Sequence, residues 1–298
     1  MKVENRIVCF IDILGFSSIV EGFEKTQDIS IIEKIRDAFD YSLKAITDAF
    51  DNAEPSDYSR EKGVTAEHFA ILKKELLFKS FSDNIIITLP YTESGINFFT
   101  RLHLIILFSN TFQYNMTTQG IYTRGGISFG SFYSDENIIF STALINAYSL
   151  EKNIAQFPRI VIDQKIIEKI ISEKNKIPYL SIFNFIYLDW ENVAFLSPFS
   201  YDDETAKEME SVMNNIIAKQ FKEIGNTSDF MKLYEQVKPY KMLLDQNASI
   251  AIDAKNKSTD NSYSTSIRNK YLWLIEFYNW KYTKEPTMLK FKLLADIL

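Results

Sequence analysis

One cysteine, Cys9, and two histidines, His68 and His103, are all that 298 residues hold of the side chains most used for soft metals and nucleophiles. A single cysteine forms no internal disulfide, which fits a reduced setting. Cys9 lies in an apolar run, where a thiol is a small core residue rather than a nucleophile. Two histidines so far apart suggest neither a zinc site nor a Ser-His pair. Excess positive charge is lacking too. The net charge of −6 argues against a polyanion-binding surface, and so against nucleic acid. The longest apolar run near a helix, Leu104-Ile105-Ile106-Leu107-Phe108, is far too short to span a bilayer. Met1-Lys2-Val3-Glu4-Asn5-Arg6 leads straight into a strand, so no leader is expected. The expectation is a cytoplasmic protein without direct membrane contact. The composition, 46% hydrophobic and 24% charged, is ordinary for a globular chain. Its length allows one large domain, or a domain plus an extension.

The chemistry begins at Phe10-Ile11-Asp12-Ile13-Leu14-Gly15-Phe16-Ser17. Ile7 to Ile11 is an almost unbroken apolar strand, and Asp12 places one carboxylate at its end. A charge in such a run needs a counter-charge. Two readings are open. Asp12 caps the following helix, or it holds a cation while backbone N–H groups at the helix start hold an anion.

A second carboxylate shifts the balance. Lys79-Ser80-Phe81-Ser82-Asp83-Asn84 lies between Leu76-Leu77-Phe78 and Ile85-Ile86-Ile87, the pattern of a β-hairpin turning at Ser-Asp-Asn. If that hairpin pairs beside the first strand, Asp83 comes to Asp12. Two carboxylates at a sheet end can share two divalent cations for in-line phosphoryl transfer. Arg124-Gly125-Gly126-Ile127-Ser128-Phe129-Gly130 adds a fixed positive charge on backbone with little bulk.

Elsewhere the pattern predicts helices over 16–23, 29–50, 97–114 and 140–155 and strands over 6–14, 76–89 (the hairpin), 120–130 and 159–162. Residues 51–67 are expected to form an exposed loop, and 131–137 a turn-rich connection. The order β-α-α-β-β-α-β-α-β is an α+β, ferredoxin-like arrangement with an added helix and strand. After Asp163 the pattern changes to a helix over 164–173, a hairpin of 183–188 with 193–196, and helices near 204–224, 227–254 and 260–281. This gives a domain of residues 1–163 and a mostly helical extension, 164–298, packed on it. Trp273 and its aromatic neighbours fit a core or a dimer interface.

The three segments, in this order, resemble the class III nucleotidyl cyclase catalytic domain. That family carries F-x-D-I-x-G-F, a Lys-x-x-Gly-Asp hairpin and R-x-G-I-x-x-G. The matches are Phe10, Asp12, Ile13, Gly15 and Phe16; Lys79 and Asp83; and Arg124, Gly126, Ile127 and Gly130. The pattern is most similar to bacterial antiphage cyclases of the Pycsar type, which form cyclic pyrimidine monophosphates. Lys270-Tyr271-Leu272-Trp273-Leu274 and Tyr278-Asn279-Trp280 are similar to the closing helix of that subgroup.

The resemblance implies a pyrimidine cyclase that makes cUMP, or else cCMP, from UTP or CTP. The ribose 3′-hydroxyl attacks the α-phosphate and pyrophosphate leaves. Asp12, Asp83 and the Ile13 carbonyl would hold two Mg²⁺ or Mn²⁺ ions. N–H groups from Leu14, Gly15, Phe16 and Ser17 would hold phosphate oxygens. Arg124 would contact the triphosphate, or else form a buried ion pair that fixes its strand. The implied assembly is a homodimer with two equal sites. The implied partner is an effector protein with a cyclic-nucleotide-binding domain. A purine cyclase and a silent nucleotide-binding dimer are the alternatives.

Two departures stand out. The family's Asn and Arg, four residues apart on the helix over 140–155, align with Ile145 and Ser149. Lys152 and Asn153 share the Ser149 face; either they substitute, with Lys152 the catalytic cation, or they are a solvated helix end. The second departure concerns the base. Lys79 stands where adenylate cyclases read adenine, but the companion Asp aligns with Ile138, and the guanine-reading Glu is absent.

Overall fold

The computed structural model describes residues 3–51, 57–61, 65–92, 95–178, 180–199, 227–283 and 287–294. The helix expected near 204–224 lies outside them. The chain folds as an α+β protein on one nine-stranded sheet. Its strands are β1 (Glu4–Ile13), β2 (Leu77–Phe81), β3 (Asn84–Pro90), β4 (Thr123–Ser134), β5 (Ile139–Ser141), β6 (Ile160–Ile162), β7 (Ile186–Leu188), β8 (Ala194–Leu196) and β9 (Lys292–Leu293). The helices are α1 (Phe16–Thr26), α2 (Ser30–Asp51), α3 (Asp57–Glu61), α4 (Ala66–Glu75), α5 (Gly95–Thr118), α6 (Thr142–Asn153), α7 (Gln164–Ser172), α8 (Thr227–Thr259) and α9 (Thr265–Tyr282).

Strand order β2-β3-β1-β4 is the ferredoxin-like core, with β1 central and antiparallel to both β3 and β4. The sheet then continues through β6, which is parallel to β4, into β8, β7 and β9. Strands on both sides of residue 163 therefore belong to one sheet.

The two faces follow the period of two along β1. Ile7, Cys9, Ile11 and Ile13 join the main core, with Phe98, Leu102, Ile105 and Phe112 of α5 and Ala38 and Ile46 of α2. Val8 and Phe10 face the other way, onto Ala143 and Ala147 of α6. Gly126 lets α6 lie this close: a Cβ there would sit 2.3 Å from the Ala147 carbonyl oxygen and 2.7 Å from the Leu150 Cβ. A third, aromatic cluster holds α9 against the sheet through Trp273, Leu274 and Phe277.

Two expectations are corrected. The stretch expected as a loop over 51–67 contains α3 and the start of α4. The Ala, Glu, Leu and Lys residues of α4 favour a helix, but its weak apolar periodicity hides it, and Leu72 is its one described side chain in the core. The turn-rich connection expected over 131–137 is shorter: residues 131–134 are the end of β4, where Phe132 is buried and pairs with Glu4 on one side and Ser141 on the other, and the turn is confined to 135–137.

Candidate active site

β1 ends in the middle of the sheet, and the register there sets the site. Asp12 pairs with Asn84 of β3 and with Arg124 of β4. Directly paired residues share a face, so Asp12 and Arg124 both lie on the α6 side. Asp83 occupies the two-residue turn of the hairpin, with Ser82 at φ 56° before it. The Ile13 N–H donates to the Asp83 carbonyl at 3.2 Å, which fixes that turn against the end of β1. The Asn84 amide donates to Asp83 Oδ1 at 3.0 Å.

Arg124 makes the expected counter-charge, and it serves two carboxylates. Its Nε lies 3.1 Å from Asp12 Oδ2 and 2.6 Å from Glu151 Oε1. Glu151 is buried beneath α6. Burial pushes the Asp12 carboxyl up from its ordinary pKa; Arg124 opposes this, and the neighbouring Asp83 adds to it. Glu151 is raised in the same way, by burial first, with Arg124 opposing and Asp12 adding. Negative charge is thus crowded at the strand end.

That donor set suits a hard divalent cation. Asp12 and Asp83 supply carboxylate oxygens, and the Ile13 side chain is buried in the core, which leaves its backbone for the site. Among the described residues no group of three or more acidic, histidine or cysteine side chains is placed to hold a metal. One or two carboxylates completed by water and phosphate oxygens is the usual arrangement for Mg²⁺.

The helix start meets part of its expectation. Gly15 takes the left-handed conformation, φ 76°, as the N-cap of α1, with no side chain capping the first turn. Only glycine does this without strain. The backbone N–H groups of that first turn, which includes Phe16 and Ser17, therefore have no side-chain acceptor there. The Leu14 N–H is different: it donates to the Tyr122 carbonyl at 2.8 Å, so it is removed from the expected phosphate-holding set.

On α6 the residue that reaches the site is Glu151, not Lys152. Lys152 is on the exposed side, its ammonium 5.7 Å from the Tyr148 ring centroid, and Asn153 bonds back to Ser149 at 3.1 Å. Glu151 was legible as the third member of a row, Ala143-Ala147-Glu151, at the four-residue spacing that stays on one helix face.

Lys79 shares the α6 face of the sheet, paired with Ile86. Its ammonium donates to the Asp135 carbonyl at 3.0 Å. The Asp135 carboxylate accepts from the Tyr133 hydroxyl at 2.8 Å and from the N–H groups of Asn137 and Ile138 at 2.8 and 2.9 Å. These bonds hold its pKa below the usual carboxylate range. An acid therefore does stand beside Lys79. It is three residues before Ile138, where alignment alone places the position, and Ile138 is exposed.

The chain matches no protein-family model and no curated protein. Among solved structures it is similar to a bacterial light-regulated adenylyl cyclase at 15% identity and a TM-score of 0.35, over 66% of this chain and 52% of that one. The match thus spans about half of that chain's length. The likeness is too distant to assign an activity. No described helix is long and apolar enough to cross a membrane.

Proposed function

We propose that this chain is a nucleotidyl cyclase of the class III type, acting as a homodimer on a nucleoside triphosphate. The observation that carries this is the meeting of Asp12 and Asp83 at one strand end, beside Arg124 and the uncapped start of α1. In the reaction a bond forms from the ribose 3′-oxygen to the α-phosphorus. The bond from that phosphorus to the pyrophosphate oxygen breaks, and the hydroxyl proton is lost to solvent. Asp12, Asp83 and the Ile13 carbonyl would hold two Mg²⁺ or Mn²⁺ ions, which acidify the hydroxyl and offset phosphate charge. Gly15, Phe16 and Ser17 N–H groups orient the phosphates. Arg124, held at two points, is ready to turn its remaining N–H donors to them.

A homodimer fits exposed apolar side chains on the α6 side of the sheet, where Phe81 of β2 is 81% exposed and Ile145 of α6 66%. Bare aromatic and aliphatic surface of this kind supports an interface. Lys152, with Ile145 and Tyr148 on the exposed side of α6, would then face the partner protomer.

The base is the finer question. Lys79 offers a donor beside the Asp135 acceptor. A base edge with a ring acceptor next to an amino group complements that pair: cytosine or adenine, rather than uracil or guanine. With the resemblance to pyrimidine cyclases, CTP is the favoured substrate and cCMP the product, ahead of the UTP that the resemblance alone put first. ATP is the second reading, because it presents the same edge. In the antiphage role implied by the resemblance, the product would be a messenger for a cyclic-nucleotide-binding effector.

The test is to incubate the purified protein with each of ATP, GTP, CTP and UTP in Mn²⁺, beside D12A, and to resolve products by mass spectrometry. Cyclic CMP lost in D12A is the expected result. Cyclic AMP would move the assignment to the second reading, and cyclic UMP would overturn the role given to Asp135. No cyclic product from any nucleotide would sink the cyclase reading.

A further inference from the structure

We propose that Lys270, carried by α9, binds the substrate's triphosphate, so that the C-terminal extension supplies a working residue of the active site in its own chain. This rests on the cyclase reading above and deepens it.

The placement of α9 comes first. The Tyr271 ring meets Tyr122 edge-on, with centroids 5.2 Å apart. Tyr122 lies two residues before Arg124, and its carbonyl accepts the Leu14 N–H just beyond Asp12. Leu14 packs into the same aromatic cluster as Tyr271. On the other side Trp273 stacks on Phe157, at 5.3 Å and 6°, where the chain has just left α6. The helix is therefore pinned on the segment entering β4, on the exit of β1 and on the exit of α6. Those three segments carry Arg124, Asp12 and Glu151. Lys270 is next to Tyr271 at this junction.

The second observation is what Lys270 lacks. It is half-buried, yet among the described residues it makes no hydrogen bond and no ion pair within 4.0 Å. Three other cations around this end of the sheet are committed. Arg124 is on Asp12 and Glu151. Lys257 is on Asp253 and the Gly120 carbonyl. Lys79 is on the Asp135 carbonyl. A half-buried ammonium without a partner is costly, and an anionic ligand is the natural remedy.

Third, Lys270 is electrically part of the cluster. Burial lowers its pKa first and Arg124 lowers it further, while Asp12 and Glu151 act to raise it. A compact ammonium on a flexible stem is suited to a phosphate as a point charge.

The experiment is calorimetric binding of inorganic tripolyphosphate and of CMP to the full chain in Mn²⁺, for wild type, K270Q, K270M and K270R, with melting temperature as the check on folding. The expected result is a loss of about tenfold or more in tripolyphosphate affinity for K270Q and K270M, with CMP binding changed far less. K270R should stay within about threefold of wild type. Wild-type affinity in a folded K270Q or K270M would overturn the proposal. So would equal losses for tripolyphosphate and CMP, or no tripolyphosphate binding by wild type. Turnover is read separately. Selective tripolyphosphate loss in a protein that makes no cyclic product would uphold Lys270 as a phosphate residue while ending the cyclase reading.

Discussion

Asp12 and Glu151 share one guanidinium nitrogen: Arg124 Nε is 3.1 Å from the first carboxylate and 2.6 Å from the second. The arrangement divides Arg124 between them. With Glu151 made neutral, Arg124 would commit to Asp12 and compete there with any cation. E151Q is expected to raise the Mn²⁺ concentration at half-maximal activity by about fivefold, a modest effect because Asp12 keeps both its oxygens. A metal titration of turnover checks this; an unchanged midpoint would leave Glu151 a packing residue.

Gly126 fixes how close α6 comes. G126A would press a Cβ to 2.3 Å from the Ala147 carbonyl, and the helix would have to move. The expected cost is about 1–3 kcal/mol of stability, read by urea denaturation. Turnover should fall as well, since the displaced helix carries Glu151. The same change in a purely structural glycine would leave the specific activity of the folded fraction intact.

Phe81 and Ile145, both on the α6 side of the sheet, are among the most exposed large apolar side chains described. F81D with I145D is expected to convert a dimer to a monomer in sedimentation, and to lower turnover at least about 100-fold with the fold retained by circular dichroism. Persistence of the dimer would place the interface elsewhere.

His103 sets a pH limit on stability. Burial lowers its pKa from 6.5 to about 4, and its ring meets Phe185 at 6.0 Å. The unfolded chain binds this proton more readily than the folded one between those values. Stability is therefore full above about pH 6.5 and is lost as pH falls toward 4, by an amount on the order of 3 kcal/mol. H103L should flatten that part of the stability curve, as followed by denaturant midpoints from pH 7 to 4.

The sheet and its charged end were legible because apolar alternation is strong there and each charge interrupts it. Asp12 and Arg124 stand out against Ile7–Ile11 and Ile127–Phe129 for that reason, and a two-residue turn leaves Asp83 little choice of position. The misses have other causes. Glu151 sits beside Lys152 and Asn153, and the two alanines at four-residue spacing before it are the only sequence signal that separates a buried carboxylate from a solvated helix end. Asp135 is placed by turn hydrogen bonds from Tyr133, Asn137 and Ile138, which no hydrophobic period reports. Lys270 depends on aromatic contacts made across more than 100 residues of chain, from Tyr271 to Tyr122 and Trp273 to Phe157. Local pattern carries no information at that range.

β6 is held between β4 and β8. A fragment cut after Asp163 would keep every residue of the Asp12–Arg124–Glu151 group, yet it would uncover one whole side of β6 as an open row of backbone donors and acceptors. It would also bare Tyr122, which packs against Tyr271 in the aromatic cluster. Open strand edges of this kind recruit other chains. Expression of the first half alone should therefore give insoluble material, and the smallest soluble piece of this protein reaches at least to the end of α9.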